Sequence, residues 1–275
     1  MTEKIRVGYH TITWGIDMFH TAVRDIGGLG FKGIETFGAV ADHYRDTVDD
    51  FKLLLHDHGV QLVTLYGGGT LSTREALAKD LEWNLALADF LKENGAEILV
   101  LGGGVRDDRT PTEETIKRMA DNLNLLGQAL LGKGIKAVYH PHLGTVIETR
   151  EEIGLLMDRT DPRLVFLCPD TAHLYKGGSD SVEVVNTYKD RIIYVHFKDV
   201  NPDATTPVKI DAEDQLPIFS ELGRGPIDFP GILKCLRDNN YSGWITIELD
   251  QSLTDPRQSA YENKKYVQEV LKLSF

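Results

Sequence analysis

The chain is poor in cysteine, in long apolar runs and in basic residues, and each shortage excludes a class of protein. Its two cysteines, Cys168 and Cys235, form no CxxC motif and are too few for a disulfide framework. Because it lacks a run of about 18 apolar residues, we expect no membrane span and no membrane partner. With 42 acidic against 30 basic residues, the net charge of −12 disfavours a nucleic-acid partner, which would need clustered Lys and Arg.

Targeting and nucleotide-binding signatures are missing as well. The N-terminal sequence MTEKIRVGYH contains no apolar signal-peptide core, which predicts a cytoplasmic protein. After the first apolar run the residues are YHTITWG rather than GxGxxG, and the glycine-rich segments 66–70 and 101–105 lack the GK[ST] of a phosphate loop. These glycines indicate tight turns that leave room for a ligand.

The chain does contain a regular alternation of short apolar runs and longer helical patterns. Near-continuous apolar runs are typical of parallel strands that are covered on both faces. We predict eight strands, at 5–9, 33–37, 60–66, 97–101, 135–140, 163–168, 191–197 and 243–248. Helices are predicted at 18–29, 46–58, 73–94, 112–132, 149–159, 181–190, 228–240 and 256–273.

Eight βα units predict a single (β/α)8 TIM barrel over residues 1–275, because such a barrel takes about 250 residues. No Pro- or Ser-rich linker divides the chain. Thr149 and Glu152 have the spacing of a capping box at a helix start. Glycines between a helical pattern and the next strand are predicted to end helices, and these are Gly30, Gly59, Gly95 and Gly134.

Titratable side chains follow the last four predicted strands, in the segments YHPH, CPDTAH, VHFKD and ITIELD. The loops after the strands of a TIM barrel converge, so we expect these side chains to meet at one mouth. Imidazole and carboxylate groups together indicate one divalent cation, with Mn²⁺ favoured over Mg²⁺, Co²⁺ or Zn²⁺. The predicted ligands are Glu148, Asp170, His196 and Glu248. The first ligand is open, because His140 and His142 also follow the fifth strand.

Catalytic roles are predicted for Glu148 and Glu248 and for two histidines. His142 and His140 stand two residues apart, so both point the same way in an extended segment. His173 follows Asp170 by three residues and is predicted to face the same cavity. Imidazole groups there suit proton transfer near neutral pH.

Four residues are predicted to contact the substrate: Trp14, Glu35, His140 and Lys198. Trp14 would form an apolar wall for a sugar face, with packing at the barrel rim as the alternative. Glu35 ends the second strand and either faces inward or bonds a neighbouring loop. Lys198 directly follows VHF and is suited to an anionic or ketone oxygen.

These motifs resemble the sugar phosphate isomerase/epimerase superfamily of xylose isomerase-like barrels. The resemblance spans nearly the whole chain, from GIETF to GRGPIDFPGILKCLRDNNYSGWITIELD. It implies a divalent metal held by Glu148, Asp170, His196 and Glu248. The segment YHPHLGTVIETREEI looks most like the inosose dehydratase branch. Epimerases of the superfamily place their first Glu where this chain has His140, which leaves the first ligand open.

The resulting hypothesis is a metal-dependent isomerase or epimerase that abstracts a proton next to a metal-bound carbonyl of a keto-sugar or keto-cyclitol. One alternative is an inosose dehydratase-like lyase, which the additional histidines suit because expelling hydroxide requires a general acid. A second is a non-catalytic sugar-binding or partner subunit. The partner is a small sugar or cyclitol, and the oligomeric state, including a homo-oligomer, stays open.

Overall fold

A computed structural model describes residues 5–104, 106, 110–203 and 218–275. Within these ranges all eight predicted strands form, each displaced by at most a few residues. They are β1 (Arg6–His10), β2 (Gly33–Phe37), β3 (Gln61–Gly68), β4 (Ile98–Gly102), β5 (Lys136–His140), β6 (Val165–Leu167), β7 (Tyr194–Phe197) and β10 (Trp244–Ile247). A short antiparallel hairpin of β8 (Asp199–Val200) and β9 (Phe219–Ser220) was not predicted.

The eight strands form one parallel sheet in the order β6-β5-β4-β3-β2-β1-β10-β7. The first strand pairs with the last, as Tyr9 opposite Ile247 shows. Between the two end strands β6 and β7, the described residues form two isolated parallel bridges, Leu167 to Ile192 and Asp170 to His196. The predicted (β/α)8 barrel is therefore confirmed, and it closes at a seam with little regular pairing.

Helices surround the sheet largely as predicted. They are α1 (Phe19–Gly28), α2 (Gly38–Tyr44), α3 (Val48–Asp57), α4 (Arg74–Glu93), α5 (Glu113–Gly132), α6 (Arg150–Arg159), α7 (Thr171–Lys176), α8 (Ser181–Thr187), α9 (Phe229–Asp238) and α10 (Pro256–Glu269). The short helices α2 and α7 were missed, and α10 ends before the predicted residue 273. None of the helices within the described ranges is long and apolar enough to cross a membrane.

Helix ends follow the local signals in the sequence. Thr149 and Glu152 form the predicted capping box, with each side chain bonded to the other residue's backbone N–H. The four predicted helix-ending glycines adopt left-handed φ angles between 66° and 92°. Asp170 begins α7 because its Oδ1 accepts from the backbone N–H groups of Ala172 and His173 at 2.9 Å.

The barrel interior is apolar near its base and polar at its mouth. Val138, Cys168 and Tyr194 belong to a small apolar cluster inside the sheet, separate from the large core under the helices. Side chains of a strand alternate between its two faces, so the residue two positions further on points the same way. His140, Asp170 and His196 stand two residues beyond these three, which places their side chains inward at the mouth.

Arg191, just before β7, bonds across the seam to residues next to and in β6. Its guanidinium donates to the Val165 carbonyl through Nε at 3.1 Å and to the Thr160 hydroxyl at 2.9 Å. It also donates to the Met157 carbonyl at 3.3 Å. Hydrogen bonds from one half-buried side chain thus supplement the sparse backbone pairing of the seam.

We expect Arg191→Met to lower the free energy of unfolding by about 1–3 kcal/mol, because it removes charge-assisted hydrogen bonds that close the barrel. Urea unfolding followed by circular dichroism measures the change. Arg163→Met is the matched control, since that exposed side chain pairs with Asp161 at the surface and its loss should leave the unfolding curve unchanged. Equal midpoints for the two variants would show that Arg191 does not support the seam.

Candidate active site

His196 stands at the centre of a cluster of buried charged side chains at the barrel mouth. Its Nε2 lies 2.7 Å from Glu35 Oε2, on β2. Its Nδ1 lies 3.0 Å from Glu248 Oε2 and 3.7 Å from Asp170 Oδ2. All four side chains are buried. The ends of β2, β6, β7 and β10 therefore bring one imidazole and three carboxylates together.

Lys198 is fully buried beside this centre and joins it to the histidines. Its Nζ lies 2.7 Å from Glu248 Oε1, 2.5 Å from Asp250 Oδ1 and 3.3 Å from His173 Nε2. Burial disfavours the ammonium, but the two carboxylates outweigh it and raise the pKa of Lys198. Burial likewise opposes ionisation of Glu248, yet the charges of Lys198 and His196 hold its pKa well below the ordinary value. Both groups are charged at neutral pH.

Three further histidines pack against one another next to Lys198. The ring centroids of His142 and His173 are 3.6 Å apart, and that of His140 lies 5.6 Å from His173. Burial lowers the pKa of all three, and nearby positive charge adds to the effect. His173 Nε2 lies 3.3 Å from Lys198 Nζ, and the Leu143 backbone nitrogen lies 3.4 Å from His173 Nδ1; a neutral ring accepts a hydrogen bond from one of these two donors. These imidazoles are neutral at neutral pH.

Several side-chain atoms in the cluster are buried without a partner. Among the described residues these include Nδ1 of His140 and Oδ2 of Asp170. Burial also raises the pKa of Asp170 to about 6, although Lys198 and His196 oppose the shift. A buried polar atom with no hydrogen bond is costly, so the arrangement fits a bound cation. Three groups have ligand atoms within 4.8 Å of one another: His140–His142–His173, His140–Cys168–His196 and Asp170–His173–Glu248.

Glu148, the residue predicted as first ligand, is not brought into these groups. Its Oε2 accepts from the Gly144 backbone N–H at 2.8 Å and lies 3.6 Å from Arg106 Nε. Its carboxylate therefore holds the loop after β5, the loop that carries His142. The loop turns back on itself before reaching Glu148, and spacing along the sequence does not reveal such a turn.

Trp14 and Glu35, which were predicted to contact the substrate, contact other side chains of the protein instead. Trp14 packs edge-on against Tyr9 at 5.8 Å and donates from Nε1 to Asp25 Oδ2 at 3.1 Å, which corresponds to the packing alternative. Glu35 does face inward, but its Oε2 accepts from Tyr194 and lies against His196. Glu35 thus contacts a candidate ligand.

Three residues of the cluster were missed as candidate site residues. His10 ends β1 and lies 3.8 Å from Glu35 through Nε2. Tyr194 donates to Glu35 Oε2 at 2.6 Å. Asp250 contacts Lys198, as described above. Two of them could have been found from strand alternation, because Tyr194 precedes His196 by two residues and Asp250 follows Glu248 by two.

Known proteins resemble the chain in sequence and fold. The profile of the xylose isomerase-like TIM barrel family matches residues 23–272. Inosose dehydratase of Clostridium beijerinckii is 34% identical, with 98% of each chain covered. That of Geobacillus kaustophilus is 32% identical, with 98% of this chain and 96% of the relative covered.

Solved structures of similar fold are more distant in sequence. A probable 3-DHS dehydratase from Bacillus anthracis has a TM-score of 0.80 at 15% identity, covering 96% of this chain and 99% of its own. The IolI protein with a bound zinc atom has a TM-score of 0.78 at 17% identity, covering 98% of each chain. At this identity the likeness concerns the fold.

We expect Lys198→Met, measured in chelator by urea unfolding, to cost about 3–5 kcal/mol, because it leaves two carboxylates without their buried counter-charge. Adding Asp250→Asn should recover part of the loss, since one uncompensated charge is then removed. Lys234→Met is the control, because Lys234 pairs with Asp238 at the surface and should not matter. A Lys198→Met protein as stable as this control would contradict the pairing.

Proposed function

The chain belongs to the xylose isomerase-like TIM barrel family, and from this premise we propose that it is a divalent-metal-dependent lyase that removes water from a keto-cyclitol of the inosose type. Its full-length relatives, at up to 34% identity over 98% of both chains, are inosose dehydratases. They favour the dehydratase alternative over the isomerase or epimerase that headed the sequence-based hypothesis. Epimerases among the solved structures, at 18–19% identity, support only the fold.

The observation that carries the proposal is the set of buried, unpartnered ligand atoms around His196. Nδ1 of His140 and Oδ2 of Asp170 lack hydrogen bonds within the described ranges, and Glu248 Oε2 lies 3.0 Å from His196 Nδ1. We assign these four residues to the cation, with His140 in the role predicted for Glu148. A cation held there would stabilise negative charge that develops on the carbonyl and neighbouring hydroxyl oxygens of the substrate.

Glu35 and Tyr194 orient the His196 ring for binding the cation. Burial opposes the imidazolium, yet neighbouring acidic groups, Glu35 and Glu248 among them, raise the pKa of His196, so the ring without a cation carries a proton on Nδ1 as well. A bound cation would displace that proton, while the Glu35 carboxylate, 2.7 Å from Nε2, would keep the ring N–H there and leave the Nδ1 lone pair toward Asp170 and Glu248. The hydroxyl of Tyr194 holds the same carboxylate oxygen. Partners of this kind fix the tautomer and orientation of a metal-binding histidine.

Elimination of water needs a proton acceptor and a proton donor. Glu248 is ionised and in the centre of the cluster, so it takes the proton from the carbon beside the carbonyl. The electron pair of that C–H bond forms the new C=C bond, and the C–O bond of the next carbon breaks. Lys198 Nζ gives a proton to His173 Nε2, 3.3 Å away, and His173 passes it to the departing hydroxide. The proton held by Glu248 then returns to Lys198, whose Nζ lies 2.7 Å from Glu248 Oε1. The products are the dehydrated ketone and water.

His142 is the most exposed of the clustered histidines. The centroid of its ring lies 3.6 Å from that of His173. The ring stays neutral, because burial and the charge of Lys198 lower its pKa. Its Nδ1 donates to the Leu143 carbonyl at 2.7 Å, so the Nε2 lone pair of the neutral ring can accept a hydrogen bond from a substrate hydroxyl. We assign His142 to orienting the cyclitol so that its leaving hydroxyl faces His173.

Turnover in D₂O distinguishes the candidate reactions. We expect the Mn²⁺-loaded protein to dehydrate an inosose and to leave a ketohexose and a 3-keto-glycoside unchanged, as followed by proton NMR. His173→Gln should keep the metal and lose about 10²–10⁴-fold in rate, because it removes a proton-transfer group. His56→Gln, a surface variant, should behave as wild type. Inversion of a carbon centre without loss of water would establish an epimerase instead.

Metal affinity decides between the two first-ligand assignments. We expect His140→Ala to weaken Mn²⁺ binding by more than about 100-fold, since losing a ligand exceeds the 10–100-fold effect of losing a residue that only orients one. Glu35→Gln should fall in that smaller range, and Glu148→Gln should bind Mn²⁺ as wild type does. Equilibrium dialysis or electron paramagnetic resonance of free Mn²⁺ measures each. Strong loss in Glu148→Gln alone would restore Glu148 as first ligand.

A further inference from the structure

Cys168 lies inside the barrel directly below the candidate metal ligands, and the proposed reaction does not use it. Its side chain is fully buried and free of any disulfide. It precedes Asp170 by two residues, so it points to the same interior one layer deeper. The Cys168 sulfur and one nitrogen each of His140 and His196 all lie within 4.8 Å of one another.

The His140 ring, which is assigned above to the catalytic cation, also lies next to the Cys168 sulfur. His140 is 1% exposed, and its Nδ1 has no hydrogen-bond partner among the described residues. The His196 ring is equally enclosed, and its centroid lies 4.9 Å from that of His140. Two imidazole nitrogens and the Cys168 sulfur therefore lie close enough together to hold one ion.

The donor chemistry of this layer differs from that of the layer above. Asp170 and Glu248 offer hard oxygen atoms, which suit Mn²⁺ or Mg²⁺. A thiolate with two imidazoles is a soft set, which suits Zn²⁺ and other thiophilic ions, with metal–sulfur distances of about 2.3 Å. The interior thus presents two stacked donor sets of opposite preference.

We propose that His140, Cys168 and His196 form a second cation position, selective for thiophilic divalent ions, which excludes the catalytic cation when it is filled. The proposal rests on the proposed function in one respect, that His140 and His196 also bind the catalytic cation. We call the catalytic position, which includes Asp170 and Glu248, the upper position, and the one that includes Cys168 the lower position. Because the two positions share both histidines, one ion at a time can be held. On binding, the Cys168 S–H bond breaks, the sulfur binds the ion, and the proton leaves to solvent. Filling the lower position therefore inhibits the enzyme.

Cadmium is a suitable probe, because Cd²⁺ is thiophilic, redox-inactive and absorbs in the ultraviolet when bound to thiolate. We expect metal-stripped full-length protein to gain this charge-transfer band on titration with Cd²⁺ in the absence of thiol reductants. X-ray absorption should find one sulfur neighbour per cadmium. In protein loaded with Mn²⁺, the same titration should release Mn²⁺, seen as the paramagnetic resonance of the free ion.

The two cysteines give a matched pair of variants. Cys168→Ser should lose the band and the sulfur neighbour, whereas Cys235→Ser, changed on an outer helix, should keep both. If Cys168→Ser does not fold, Cys168→Ala gives the same comparison. A missing band in folded wild type, or a band that survives in Cys168→Ser, would overturn the proposal.

Asp170→Asn separates this proposal from the proposed function. It should lose Mn²⁺ yet retain the cadmium–thiolate band, because Asp170 belongs to the upper position alone. If wild type binds no Mn²⁺ but shows the band, the catalytic-metal assignment fails and the thiol position stands. If Asp170→Asn loses both Mn²⁺ binding and the cadmium–thiolate band, the ion at Cys168 depends on Asp170 and the proposal is wrong.

Discussion

The exclusion of water from the charged groups at the barrel mouth is the constraint on which the site depends. Lys198 is fully buried, and an ammonium in such a place is tolerable only with carboxylates in direct contact. Glu248 and Asp250 provide them, and Glu248 is in turn held against His196. One buried positive charge therefore fixes the positions of two strand ends and the ionisation of the groups between them.

Two residues that close the barrel are also residues of the candidate site. One of the two bridges between the end strands of the sheet pairs Asp170 with His196, and the backbone N–H of His196 donates to the Pro169 carbonyl at 3.0 Å. Both paired residues are proposed metal ligands. A cation bound between them would strengthen the part of the sheet with the least backbone pairing and would couple metal binding to fold stability.

Neutral histidines beside a charged lysine distinguish this mouth from one built of carboxylates alone. Lys198 helps to keep His142 and His173 uncharged, since a second positive charge at this distance is unfavourable. Neutral imidazoles can both accept and donate a proton, whereas the adjacent ammonium supplies the charge that a departing hydroxide requires. The same barrel can thus support elimination where a two-glutamate arrangement would return the proton to carbon.

The sequence by itself determined the barrel, because strand periodicity, helix caps and glycine positions are local properties, and the alternation of strand and helix repeats eight times along the chain. It also determined that Asp170, His196 and Glu248 meet, since the strand ends of a parallel barrel share one rim. Tertiary structure alone decided which neighbour each side chain takes. Glu148 turns to Gly144 and Trp14 packs on Tyr9, because these choices depend on loop paths and on packing between residues of different elements.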